Sequence, residues 1–216
     1  MDGNGPGVAQ RLAELVAARI CHDLGGPLSI IGNAAELGRM EAERGSRQGG
    51  EAMGLMLEGA QAVAARVKLL RALFGPPTGP LSAEELTAMA RGVIGGGRVE
   101  PDLSRLAPGT VFGAEAARAM LAALVVAGEA LPRGGVVQCH GGADDVAVMI
   151  EGTNAAWPAG LAEALASDDP AAVAVAGGAR ALMGPMLVLL ARGAGLQPML
   201  LMGGGAPLLR LARAAA

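Results

Sequence analysis

His22 is the side chain in this sequence whose type and setting best suit covalent chemistry. It stands in the run Cys21-His22-Asp23-Leu24-Gly25-Gly26-Pro27-Leu28. A neutral imidazole can attack an acyl phosphate or a nucleotide phosphorus through one ring nitrogen. The other nitrogen must then hold a proton, and a neighbouring carboxylate such as Asp23 can orient or accept it. Phosphoryl transfer asks for positioning and charge stabilisation more than for covalent machinery. His22 lies two residues from Ile20 and two from Leu24, both on an apolar stripe. At about 100° per residue that is roughly 200° around a helix from each, so the ring points outward, toward solvent or a partner.

The residues after the histidine break helix rules. Pro27 has no N–H for the carbonyl of Asp23, which predicts a kink or a loosened turn. Gly25 and Gly26 weaken the same turn by roughly 1 kcal/mol each relative to Ala. A sequence selected only for a stable rod would not place these three together, and local rule-breaking in a consistent helix marks function.

Other chemistry-bearing residues read more plainly. Cys-His occurs twice, as Cys21-His22 and Cys139-His140. Adjacent side chains diverge by about 100° on a helix and about 180° on a strand, so each pair is a poor chelate. No metal site is expected, and both cysteines are expected as small buried hydrophobes. Met53, Met56, Met183, Met186, Met199 and Met202 read as core filler. Asp144-Asp145 and Asp168-Asp169 read as turn or helix-cap residues. Glu36, Arg39, Glu43, Arg66 and Arg71 could form a solvated face. The sharper expectation is that part of this surface, with Asn33 and Glu36 within about four turns of His22, docks a partner protein.

The elements that position His22 follow from periodicity. From about Val8 to Glu43, Leu12, Val16, Ile20, Leu24, Leu28, Ile31 and Ala35 recur at helical spacing. Residues 44–50 are a polar, glycine-containing turn. A second helix is expected from Glu51 to Phe74, with a stripe of Met53, Met56 or Leu57, Ala60, Val63, Val67 and Leu70. Two long helices joined by a short loop make an antiparallel hairpin. Two such hairpins bury both stripes as a four-helix bundle, so a homodimer is expected.

Gly75-Pro76-Pro77-Thr78-Gly79-Pro80 cannot continue a helix. A domain border there divides the chain into 1–76 and 77–216. In the second part Ser82 and Glu85 form a capping-box pattern opening a helix that should reach about Ile94. A short strand is expected near Arg98 to Leu103, and a helix from Ala114 to Leu131. Strands at Val136–His140 and Val146–Gly152 flank a turn at residues 141–145. Helices follow near Leu161 to Ala166 and from Ala179 to Ala194, the latter kinked or started by Gly184-Pro185. Strands at Gln197–Met202 and Leu208–Ala212 flank a glycine-rich turn with Pro207. The fold class is α+β: a helical hairpin, then an α/β sandwich with helices on one face.

Composition narrows the function classes. The chain has 216 residues, 52% of them hydrophobic, which suffices for a sizeable core. With no Tyr, one Trp and two Phe, that core is built from Ala, Leu, Val and Met. The net charge of −3 and the absence of Lys/Arg clusters argue against a nucleic-acid partner. Two distant cysteines suggest no disulfide framework and fit a reduced, cytoplasmic setting. The start resembles no signal peptide. The longest strongly apolar run, Ala119 to Gly128, falls far short of the roughly 20 residues needed to span a bilayer, so no membrane partner is expected.

The pattern His, acidic residue, Leu, two variable residues, Pro, Leu resembles the H-box of two-component histidine kinases and their dimerising phosphotransferases. It is matched by His22, Asp23, Leu24, Pro27 and Leu28. With Arg19-Ile20-Cys21 before it and Gly32-Asn33 after it, the chain looks especially like the alphaproteobacterial histidine phosphotransferase family called ChpT. That resemblance implies a dimerising hairpin followed by a domain shaped like a histidine kinase ATPase domain that has lost nucleotide binding. It implies a phosphorelay role: a phosphoryl group passes from the receiver aspartate of a hybrid kinase to His22, then to a response regulator. Cofactors are expected to be none, with Mg2+ on the receiver partner only, and the protein is not expected to hydrolyse or use ATP. The helix equivalent to the Asn-rich nucleotide helix of kinases, Ala114 to Leu131, holds no Asn; its Glu129 could mimic part of that box at best. The Asp-x-Gly-x-Gly loop that reads adenine is missing, and Glu151-Gly152-Thr153-Asn154 does not replace it. Gly26 stands where kinases with phosphatase activity often carry Thr or Asn. Two alternatives stay open: an active kinase with a divergent ATP site, and a non-catalytic adaptor that sequesters receivers.

Overall fold

The computed structural model describes residues 6–43, 50–77, 79–202 and 207–213. Helix α1 (Pro6–Glu43) and helix α2 (Gly50–Phe74) pack against each other as the expected hairpin. The turn expected between them lies outside the described residues, apart from Gly50, which already begins α2. Helix α1 runs through Gly25, Gly26 and Pro27 as one element, with the proline inside it. Pro27 is buried where α2 crosses at Gly59. A Cβ on Gly59 would stand 2.6 Å from Ile31 Cγ1 and 3.3 Å from the Pro27 carbonyl oxygen. Glycine therefore lets the two backbones approach.

The buried stripes differ from those expected. On α2 the buried residues are Ala52, Gly59, Leu69 and Leu73. Met53, expected as core filler, is 63% exposed, and Leu28 of the α1 stripe is 52% exposed. Small residues lie between the helices, while several larger apolar ones face outward.

The rest of the chain is a mixed sheet with helices. Strand β1 (Leu81–Ser82) pairs antiparallel with β3 (Val111–Phe112). Helix α3 (Ala83–Ala90) opens with the expected capping box: Ser82 Oγ accepts from the Glu85 N–H, and Glu85 accepts from the Ser82 N–H. It ends four residues earlier than expected, because the chain turns at Gly92 (φ 74°) and enters a 3₁₀ turn at Ile94–Gly97 with Gly95 and Gly96 also at positive φ. Strand β2 (Val99–Leu106), strand β4 (Gly135–Gly142), strand β5 (Asp145–Glu151), strand β7 (Leu208–Arg213) and strand β6 (Leu196–Leu201) form one five-stranded sheet in that spatial order. The β2–β4 pair is parallel; the others are antiparallel.

Alternation along the strands sets the core. Val137, Cys139, Val146, Val148 and Ile150 face inward and are buried, whereas Gln138, Met149 and Glu151 lie on the other face. Helix α4 (Ala114–Glu129) is apolar nearly all round and buried nearly all round, as a central core helix must be. Helices α5 (Ala159–Ala166), α6 (Pro170–Ala181) and α7 (Met183–Gly193) complete the layer. Gly184-Pro185 stands in the first turn of α7, the position proline tolerates. Helix α6 was not expected as a separate element. It starts at Pro170 behind Asp169, whose carboxylate caps the Ala172 N–H, so Asp169 is a cap residue as read. The glycine-rich turn expected before Pro207 lies outside the described residues.

Two features join the hairpin to the sheet layer. Helix α6 lies against α1 and α4 against α2. Arg118 of α4 donates through Nε and Nη2 to the Leu73 carbonyl, 3.4 Å away in each case. That satisfies one of the last carbonyls of α2, which have no partner within their own helix. Among the described residues no helix is long and apolar enough to cross a membrane.

Candidate functional site

His22 projects from the middle of α1, and its side chain is 85% exposed. Its Nδ1 lies 3.2 Å from Asp23 Oδ1. A carboxylate can only accept, so in the neutral ring this contact selects the tautomer with the proton on Nδ1 and the lone pair on Nε2. Asp23 also accepts from Arg19: Nε donates to Oδ2 at 2.8 Å. Residues four apart on a helix lie one above the other, so this pair follows from the helix itself. Arg19 then spans to the other layer, where its Nη1 lies 2.7 Å from Glu129 Oε1 on α4.

The result is a chain of four groups: His22, Asp23, Arg19 and Glu129. Exposure falls sharply along it, from the largely exposed ring to an Arg19 side chain only 16% exposed. Burial opposes the charge on Arg19, but the carboxylates of Glu129 and Asp23 outweigh it and hold the guanidinium above its ordinary value. Burial likewise raises the Glu129 carboxyl, with Arg19 pulling the other way.

These groups border a cleft of about 340 Å³ between the hairpin and the sheet layer. Arg19, His22, Asp23, Gly26 and Pro27 form one side; Leu69, Leu73 and Phe74 of α2 with Val125 of α4 form an apolar floor. Arg66 of α2 lines it too. Gly26 lines the cleft beside the ring, and nothing lies within 4 Å of where its Cβ would be. Gly25, on the same turn, is outside this lining.

The other expected site residues fall elsewhere. Asn33 and Glu36 are exposed three to four turns further along α1, outside the cleft. Glu36 is paired with Arg39 at 2.6 Å, which keeps its carboxyl below the ordinary range, and Arg39 also pairs with Glu43. Cys21, expected to be buried, is exposed beside His22, because the same turn that displays the ring displays its neighbour; Cys139 is buried. Cys139 and His140 point to opposite faces of β4, as successive strand residues must. Asp144, just before β5, and Asp145, its first residue, pair with Arg213 and Arg210 of the neighbouring strand β7. Among the described residues no group of three or more His, Cys, Asp or Glu could hold a metal ion.

In the sequence Arg19 stands as a residue flanking the histidine motif, and Glu129 has no cation in the last turn of its own helix. The four-residue spacing of Arg19 and Asp23 was a usable signal; the pairing with Glu129 needed the tertiary fold.

Comparison with known proteins agrees with this architecture. A solved structure described as a 1.7 Å structure of a bacterial phosphotransferase matches with a TM-score of 0.73 at 21% identity, covering 94% of this chain and 96% of that one. At that identity the likeness establishes the fold. No curated protein matches. The family described as histidine phosphotransferase C-terminal domain matches residues 83–204, more than half of the chain. The chain therefore belongs to the histidine phosphotransferase family, and its role is phosphotransfer.

Proposed function

We propose that His22 accepts a phosphoryl group from the aspartyl phosphate of a hybrid kinase's receiver domain and passes it to the aspartate of a response regulator. The observation that carries this reading is an exposed imidazole with Nδ1 tied to Asp23 and Nε2 free. Nε2 attacks phosphorus, the Nε2–P bond forms, and the P–O bond to the receiver aspartate breaks, releasing its carboxylate. The Nδ1 proton stays in place, so the ring gains positive charge as the transfer proceeds. Asp23 lies where that charge develops, which is the arrangement that lowers the barrier. Reversal of the same steps delivers the phosphoryl group onward. The Mg2+ of the reaction belongs to the receiver.

Residues 1–76 are the transfer and dimerisation unit in this reading, and residues 77–216 a docking module that does not use ATP. Helix α4 offers no Asn, and its Glu129 is engaged by Arg19. A second copy of this chain covers an outward apolar face of the hairpin, where Leu28, Met53 and Leu57 are exposed. Two hairpins would bury that face as a four-helix bundle. Gly25, Gly26 and Pro27 shape the helix beside the ring, and Asn33 and Glu36 extend the receiver-docking surface along α1.

The test is incubation with a phosphorylated receiver domain. Label should move to the wild type and not to His22→Ala, and radiolabelled ATP alone should label neither. Autophosphorylation from ATP would overturn the transferase reading, and an unlabelled wild type that still binds receivers would favour an adaptor. Sedimentation should find a dimer, and Leu28→Glu with Leu57→Glu should make it a monomer.

A further inference from the structure

We infer that Glu129 is a positioning residue for the phospho-acceptor, acting through Arg19 to fix Asp23 against the His22 ring. The inference rests on His22 being the acceptor, as proposed above.

The geometry makes each link depend on the next. Asp23 has two oxygens and both are used: Oδ1 faces His22 Nδ1 at 3.2 Å, and Oδ2 accepts from Arg19 Nε at 2.8 Å. An arginine side chain has many rotamers, and a single carboxylate one turn away on the same helix does not select among them. Glu129 supplies the second anchor at 2.7 Å, from a different helix of a different layer. With Nη1 held by Glu129, the Nε edge of the planar guanidinium is aimed at Asp23. The carboxylate is thereby held with its other oxygen on the ring, and the ring keeps the tautomer that frees Nε2.

Charge points the same way. Asp23, Arg19 and Glu129 together carry a net charge of −1, facing a ring that becomes positive during transfer. Without Glu129 the remaining pair is neutral. The other charged group lining the cleft is Arg66, a cation that does not supply the missing negative charge. Glu129 is only 26% exposed, so solvent screens the arrangement less than it would screen a fully exposed pair.

The experiment compares Glu129→Gln, Glu129→Asp and Asp23→Asn in the full chain by two readouts. The first is single-turnover transfer from a phosphorylated receiver, with rate at saturation and half-saturating concentration measured separately. Glu129→Gln should lower the saturating rate about tenfold, within the coupling range of residues in one network. The half-saturating concentration should stay put, and Glu129→Asp should recover part of the rate. In the Asp23→Asn background, Glu129→Gln should add little. The second readout is the 15N spectrum of the His22 ring in the free protein. Glu129→Gln should shift population away from the Nδ1–H tautomer. An unchanged ring spectrum, or a loss confined to half-saturation, would overturn the inference. If instead His22→Ala still accepts label, the acceptor assignment fails, while the ring spectrum still reports on Glu129.

Discussion

Replacement of Gly59 by alanine probes the contact that presents His22. The new Cβ would stand 2.6 Å from Ile31 Cγ1, 3.3 Å from the Pro27 carbonyl oxygen and 3.4 Å from the Ile31 nitrogen. Carbon atoms in contact prefer about 3.5–4.0 Å, so one contact is short by about an ångström. Ile31 cannot yield easily, because a β-branched side chain on a helix has one strongly preferred rotamer. The helices must part, and overpacking of this kind costs about 1–3 kcal/mol. Alanine's helix propensity returns at most about 1 kcal/mol. The net expectation is a destabilisation of up to about 2 kcal/mol, or a Tm lower by up to about 8 °C in a chain of this size. Thermal unfolding followed by circular dichroism measures it. Ile31→Ala removes the colliding atom, so Gly59→Ala in that background should be nearly neutral, a coupling that a double-mutant cycle isolates. Equal effects of Gly59→Ala in both backgrounds, or a rise in Tm for the single variant, would refute the close crossing of α1 and α2.

Two further outcomes follow from the site and the core. At 3.2 Å the Asp23 carboxylate interacts with a charge on the ring by about 1–5 kcal/mol, for effective dielectrics of about 80 down to 20. The exposed ring keeps this near the lower end, so Asp23→Asn should slow transfer from a phosphorylated receiver by about tenfold, measured in a single turnover. Cys139 is buried, and burial together with nearby Asp102 pushes its thiol up to about 12, so thiol titration of the native protein should modify Cys21 alone. The folded value lies above the unfolded one, so this stabilising contribution is whole below about 9 and is lost as pH climbs toward 12. Cys139→Ala should flatten that part of a stability-against-pH curve.

Local signals in the sequence carried the fold where one partner sufficed. The capping box of Ser82 and Glu85, the proline run after Phe74 and the alternation of β4 and β5 each need only neighbouring residues. The hairpin stripes misled for a physical reason. Each helix is apolar on more than one face, and the largest residues do not mark the face buried within the chain. Ala52 and Gly59 are buried because they are small enough for close approach, while Met53 and Leu57 remain outside. Helix α6 escaped notice because an Ala- and Gly-rich segment has almost no contrast between its faces. Its caps were legible, but its period was not.

The site divides along the same line. His22, Asp23 and Arg19 lie within about one turn of one helix, so their proximity follows from the helix, while the aim of the Arg19 guanidinium needs its tertiary partner. Glu129 is different, yet it left a trace. It ends a helix that is apolar from Ala119 to Gly128, at the terminus where the backbone dipole already presents negative charge and a carboxylate is disfavoured. Burial adds a second penalty. A carboxylate that pays both needs a cation from outside its own helix. Arg19 answers the charge of Glu129 and the end of α4 together, and in doing so ties the sheet layer to the turn that carries His22.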